Sequence, residues 1–218
     1  LRTCNQHIAK SILDVFNKTL VLFICVISST SCKEKTQSQI DKETLPGDYF
    51  ELKEDNIKLF LPVYFQEFSE ETYGELIDAL PDSNEKQIEK KRFNYLKFSK
   101  GSTYYFKDIA SSTLITVKMH KYMPFSKNES SFLLGFLSNQ CADYAFALGS
   151  ECKKLQGRYS GNAKTKVFKA VYELSKEDNY TYYNTMYIIS SNSKTLSMNI
   201  YSNTLENYNQ FIEKTVIR

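Results

Sequence analysis

Cysteine and histidine offer this chain its widest chemical repertoire, and their spacing narrows what they can do. Cys141 and Cys152 are the only cysteines beyond Cys32. A bridge between them would close a loop of about a dozen residues, worth roughly 3 kcal/mol in the chain-entropy model. Left reduced, Cys141 would be a core helix residue and Cys152 a partly exposed thiol. His120 is flanked by Lys118 and Lys121, and no C-x-x-C pair exists, so neither a metal site nor a cofactor is expected. A Ser-His-Asp triad would have to use His120, yet the G-x-S-x-G elbow is absent, and no catalytic residue is assigned. Gly157 to Thr165 reads GRYSGNAKT. It fails as a phosphate loop, because no second Gly precedes Lys164-Thr165 and the following residues read as a strand. We expect a flexible connection there, whose Arg158, Tyr159 and Lys164 would suit ligand contact. A tyrosine group (Tyr180, Tyr182, Tyr183, Tyr187, Tyr201) is the other candidate surface. Alternation along a strand puts Tyr183 and Tyr187 on one face, as a binding surface or as amphipathic sheet cover.

The elements that must position these residues come from a chain of 218 residues, 42% hydrophobic, enough for one well-cored domain. The formal net charge is +3, and about +1 from Cys32 onward. A near-neutral chain with four arginines (Arg2, Arg92, Arg158, Arg218) lacks the one-sided basic field of a nucleic-acid binder.

Leu20 to Ile27 reads LVLFICVI, preceded by Lys18 and followed by Ser28-Ser29-Thr30-Ser31-Cys32. A basic flank, a short apolar run and small residues form a secretory signal. As a helix the run is roughly 12 Å long against a hydrocarbon core of about 30 Å, too short to span. Thr30-Ser31-Cys32 resembles the bacterial lipoprotein signal, in which small residues precede a lipidated Cys. Ser29 departs from that pattern, which usually carries an aliphatic residue there. The resemblance implies a signal over 1–31, cleavage before Cys32, lipid on Cys32, and attachment to the bacterial cell envelope, with the outer membrane expected. Residues 32–44 then form the lipidated Cys and a polar, flexible tether. Leu1 to about Val15 reads as a start placed too early, so Cys4 and His7 carry no argument.

Residues 45–218 read as a single α+β domain. Ile57 to Phe65 is a strand interrupted by Pro62. Ser69 caps a helix whose Tyr73, Leu76, Ile77 and Leu80 share a face, and Pro81 ends it. A charged helix follows to about Leu96, with Glu85, Lys86, Glu89, Lys90, Lys91 and Arg92 read as a solvated face. Thr103–Phe106 and Thr113–Met119 pair as strands, one face of the second being apolar. Ser126 to Glu129 matches a capping box. It opens the best core helix, with Leu133, Leu137, Cys141, Tyr144 and Leu148 inward, Phe132 and Phe136 widening that face, and Gly149 as its stop. Val167–Leu174, Thr181–Ser190 and Thr195–Tyr201 are successive strands. Thr204 caps a last helix with Leu205, Tyr208, Phe211 and Ile212 inward. The expected architecture is one antiparallel sheet of about six strands, with three to four helices packed on it.

Leu61-Pro62-Val63-Tyr64-Phe65, and the closing order Tyr187–Ser190, Thr195–Ser202, Leu205–Glu213, resemble the PsbP-like fold. The resemblance covers most of Ile57 to Arg218 and contains no diagnostic motif. It implies an accessory or binding protein, and no functional residue carries over. The sequence reading is therefore a membrane-anchored envelope lipoprotein that binds another envelope protein or a small ligand, without nucleic acid. The alternatives are an envelope hydrolase with an unfamiliar site and an immunity- or inhibitor-type lipoprotein.

Overall fold

The computed structural model describes residues 46–218, apart from 109, 112 and 176–180. The signal over 1–31, Cys32 with its tether, and Tyr180 lie outside the described residues. The chain runs β1 (Gly47–Leu52), β2 (Ile57–Pro62), β3 (Phe65–Phe68), α1 (Glu70–Asp78), α2 (Ser83–Phe98), β4 (Thr103–Asp108) and β5 (Leu114–His120). It continues with α3 (Ser130–Leu148), β6 (Glu151–Gly161), β7 (Thr165–Ser175), β8 (Thr181–Ser191), β9 (Lys194–Ser202), α4 (Asn209–Lys214) and β10 (Val216–Ile217).

The fold is α+β, but the expected single sheet of about six strands is corrected to two sheets. One has seven strands in the order β3-β4-β5-β9-β8-β7-β6, and the other has three, β1-β2-β10. All pairings are antiparallel. The strands that pattern reading missed are marginal ones. β6 pairs with β7 from Glu151 to Gly161, so Gly157 to Gly161 is ladder rather than flexible connection. As an edge strand exposed at nearly every position, it has no apolar alternation to betray it. Its lysines and its bulge between Lys154 and Gln156 suit an edge that must not recruit another strand.

Alternation divides the large sheet into two faces. Phe168, Ala170, Tyr172, Leu174, Met186 and Ile188 pack with Leu133, Leu137, Cys141 and Ala145 of α3. Further along the same face, Tyr105 packs with Tyr73 and Ile77 of α1. The opposite face meets the small sheet and the C-terminal segment. Phe50 lies 5.1 Å from Phe106, and Phe65 lies 6.3 Å from Tyr208. Phe211 of α4 stacks on Phe60 of β2 at 5.8 Å.

Both ends of α3 follow the sequence. Ser126 and Glu129 form the capping box, and Gly149 adopts φ 64° beyond the last turn. The chain then folds back into β6, which brings Cys152 to Cys141 as a disulfide with Cα atoms 6.1 Å apart. The expected burial of Phe132 and Phe136 is corrected. They are 73% and 51% exposed, and Phe146 is 89% exposed. They share the outer side of α3, at 100° per residue, while Leu133, Leu137 and Cys141 take the inner one. The last helix is also shorter than expected, beginning at Asn209 and leaving Leu205 exposed.

Lys118 links α2 to the sheet. Reading one face of β5 as apolar is correct for Ile115, Val117 and Met119, but the other face is buried too. There the Lys118 ammonium donates to the carbonyls of Leu96 (2.8 Å), Ser99 (3.1 Å) and Gly101 (2.7 Å). It also lies 2.9 Å from Thr103 Oγ1. These carbonyls end α2 and shape the turn into β4, so one cation satisfies acceptors that a helix terminus otherwise leaves orphaned. Gly101 is required in this turn, at φ 95° with the Met119 carbonyl where a Cβ would stand.

Candidate ligand-binding cavity

The residues that build the main concavity come from α1, α2, α3 and the sheet face beneath them. Ser69 Oγ accepts the Thr72 N–H at 3.1 Å, and Glu70 and Glu71 stand in the first turn of α1, favourable to its dipole. This orientation sends Tyr73, Leu76, Ile77 and Leu80 toward the sheet. α3 contributes Tyr144 and Leu148. The floor follows a cross-strand row: Lys107 of β4 pairs with Leu114 of β5, Leu114 with Tyr201 of β9, and Tyr201 with Asn184 of β8. Leu174 and Tyr182, themselves paired, extend the floor through β7 and β8. These elements enclose a cavity of about 440 Å³ whose walls are mainly aliphatic and tyrosine side chains. That size falls in the range of small-molecule sites.

One polar cluster interrupts the apolar walls. Glu89 and Arg92, three apart on α2, form an ion pair at 2.8 Å with side chains only 12% and 17% exposed. Arg92 Nε donates to Glu89 Oε2 at 2.9 Å, and Arg92 Nη2 donates to the Tyr73 hydroxyl. The Tyr144 hydroxyl donates to Glu89 Oε1 at 2.6 Å. The Arg92 guanidinium lies 4.9 Å from the centre of the Tyr201 ring, an attractive cation–π contact. Burial opposes the guanidinium charge, but Glu89 and the surrounding tyrosines outweigh it, and the Arg92 pKa stands well above its ordinary value. Burial raises the pKa values of Tyr73, Tyr144 and Tyr201, so their hydroxyls stay protonated. Both Glu89 oxygens are thus engaged. Among the described residues, no bond runs from Arg92 Nη1.

Reading the charged run of α2 as a solvated face is therefore corrected at Glu89 and Arg92. Asp78–Lys90 is a surface pair, as the charge pattern would suggest. Glu89 and Arg92 instead lie on the line that continues through Phe93 and the buried Leu96. That i, i+3/i+4 spacing was the one available signal, and the high charge of the segment masked it.

The sequence-derived contact residues do not meet in this cavity. Arg158 is exposed on β6. Tyr159 is half-buried, its ring edge-on to Phe125 at 6.3 Å. Lys164 borders a separate cavity of about 220 Å³, between the β7–β8 end and β10. Tyr183 and Tyr187 face away from the main cavity, and Tyr187 is buried, its hydroxyl donating to Asn209 Oδ1 at 2.9 Å. Of the described members of the tyrosine group, Tyr182 and Tyr201 line the cavity and Tyr183 and Tyr187 do not. Among the described residues, no group of three or more Cys, His, Asp or Glu side chains is arranged to hold a metal. His120 Nε2 lies 2.7 Å from Ser197 Oγ, and burial followed by the Lys118 charge lowers its pKa.

No family model and no curated protein matches the chain by sequence. Among solved structures, the chain is similar to the cyanobacterial PsbP protein (CyanoP) of Synechocystis sp. PCC 6803, known from its solution structure. The TM-score is 0.52 at 7% identity, over 80% of this chain and 94% of that one. This likeness supports the PsbP-like resemblance read from the order of elements, and it concerns the fold alone.

Proposed function

We propose that this protein is a lipid-anchored envelope protein of the binding type, whose α+β domain takes up a small, largely apolar ligand beneath α1, α2 and α3. The observation that carries the binding reading is the cavity of about 440 Å³ with one convergent polar cluster in otherwise apolar walls. The anchor reading is supported by the signal features ending at Cys32, and the location proposed from them is the bacterial envelope, at the outer membrane. The binding reading is favoured over an envelope hydrolase because, among the described residues, the cavity lining holds a single carboxylate, Glu89, and that carboxylate is committed to Arg92 and Tyr144. Acid–base hydrolysis commonly needs two carboxyl groups held in different protonation states. A second reading, an envelope protein partner, is favoured by Phe132, Phe136 and Phe146, exposed together on the outer side of α3.

Two measurements on membranes and purified protein test both halves of the main reading. Metabolic palmitate labelling should mark the wild-type chain and not Cys32→Ser. An envelope-lipid extract should raise the melting temperature of Cys32→Ser, but not that of Cys32→Ser/Leu148→Trp, in which an indole fills the cavity. Label retained by Cys32→Ser would remove the anchor, and equal shifts in both variants would remove the cavity.

A further inference from the structure

Resting on that reading of the cavity, we infer that its ligand is a single-chain amphiphile with one anionic head group, of the long-chain carboxylate type. The walls define the tail. Leu76, Ile77 and Leu80 on α1, Leu148 on α3 and Leu174 on the floor form an aliphatic lining without a hydrogen-bonding demand. An alkyl chain satisfies such walls, whereas a sugar or a peptide backbone would leave its polar groups unpaired there.

The polar groups define the head. Glu89 is neutralised by Arg92, and both its oxygens are already bonded, so among the described residues no carboxylate of the lining is left to receive a cation. The Tyr73, Tyr144 and Tyr201 hydroxyls remain neutral because burial raises their pKa values. What is left over is positive. Lys107 lines the cavity from β4, half-buried, and no ion pair to it occurs among the described residues. Arg92, over the Tyr201 ring in the same lining, carries two further N–H groups on Nη1. Lys107, with Leu114 and Tyr201 following it across the sheet, sits at one end of the floor row, and Leu174 and Tyr182 lie toward the other. An anionic head beside Lys107 leaves the chain to run over Leu114, under Ile77 and Leu80 of α1, and on toward Leu148 and Leu174. A head with more than one charge would exceed the one uncompensated cation among the described lining residues.

Displacement of a fluorescent apolar probe from the purified protein tests this, using octanoate, decanoate, dodecanoate, decan-1-ol and decyltrimethylammonium. Affinity should rise about fourfold per added methylene until the chain fills the cavity. Decanoate should bind at least tenfold more tightly than decan-1-ol, and the cationic amphiphile more weakly still. Lys107→Gln should erase most of the preference for decanoate while leaving decan-1-ol binding unchanged. Equal binding of decanoate and decan-1-ol, with both lost in Leu148→Trp, would overturn the anionic head and leave the cavity standing. Probe binding that survives Leu148→Trp would overturn the cavity as well.

Discussion

Arg92→Met is expected to lower the unfolding free energy by about 3–5 kcal/mol, the cost of leaving a buried charge without its partner. Glu89 is 12% exposed in its side chain and accepts from Arg92 Nε, Arg92 Nη2 and the Tyr144 hydroxyl. Without Arg92 the carboxylate keeps one tyrosine donor in an apolar cavity, and the Tyr73 hydroxyl loses its partner too. The double variant Glu89→Gln/Arg92→Met should recover much of the loss, because no charge remains to be desolvated. Urea unfolding of the two single variants and the double variant measures the coupling directly. A loss under about 1 kcal/mol for Arg92→Met would place the pair with ordinary surface salt bridges and contradict its burial.

Lys118→Met is expected to cost about 3 kcal/mol or more through a different route. No carboxylate is involved. Three backbone carbonyls, the buried one of Leu96 and the part-buried ones of Ser99 and Gly101, lose the donor that serves them, at about 1–3 kcal/mol for a fully buried acceptor left bare and less for the other two. Burial already lowers the Lys118 pKa, so the charge is tolerated for its bonds and not for its solvation. The damage should be local: hydrogen exchange should accelerate through the last turn of α2 and the turn around Gly101 before it does in α3. Lys118→Arg should not rescue, since a planar guanidinium cannot reach carbonyls arranged around a single point. Uniform acceleration of exchange across the domain, or full rescue by Arg, would contradict this role.

These two residues show where sequence legibility ends. Elements with a strong local signature are readable: Ser69 before α1, Ser126 to Glu129 and Gly149 around α3, the β8–β9 hairpin, and the Cys141–Cys152 bridge. Each depends on interactions among near neighbours. The edge strand β6 and the two-residue β10 depend on ladder partners distant in sequence, and they bury too little to imprint a period. Glu89, Arg92 and Lys118 were hidden for a related reason. Charged residues default to solvent unless the fold supplies partners, and here those partners come from other elements: Tyr144 on α3, Tyr73 on α1, and carbonyls at the end of α2. The exposed Phe132 and Phe136 mislead in the opposite direction, since α3 is apolar on both its inner and outer sides. Residues chosen for loop composition are dispersed because Arg158 and Tyr159 lie on a strand whose successive side chains take opposite faces, while Lys164 lies in the turn between β6 and β7.

The claim on which the functional reading turns is that ligand enters between α1, α3 and the sheet. Methyl NMR of the selectively labelled protein, titrated with decanoate, tests it most directly. The expected result is saturable shifts at Leu76, Ile77, Leu148 and Leu174, with Leu155 on the exposed edge strand unmoved. Shifts confined to Leu155 or to Val167, Ile189 and Ile217 around the smaller cavity, with the four cavity methyls silent, would contradict it.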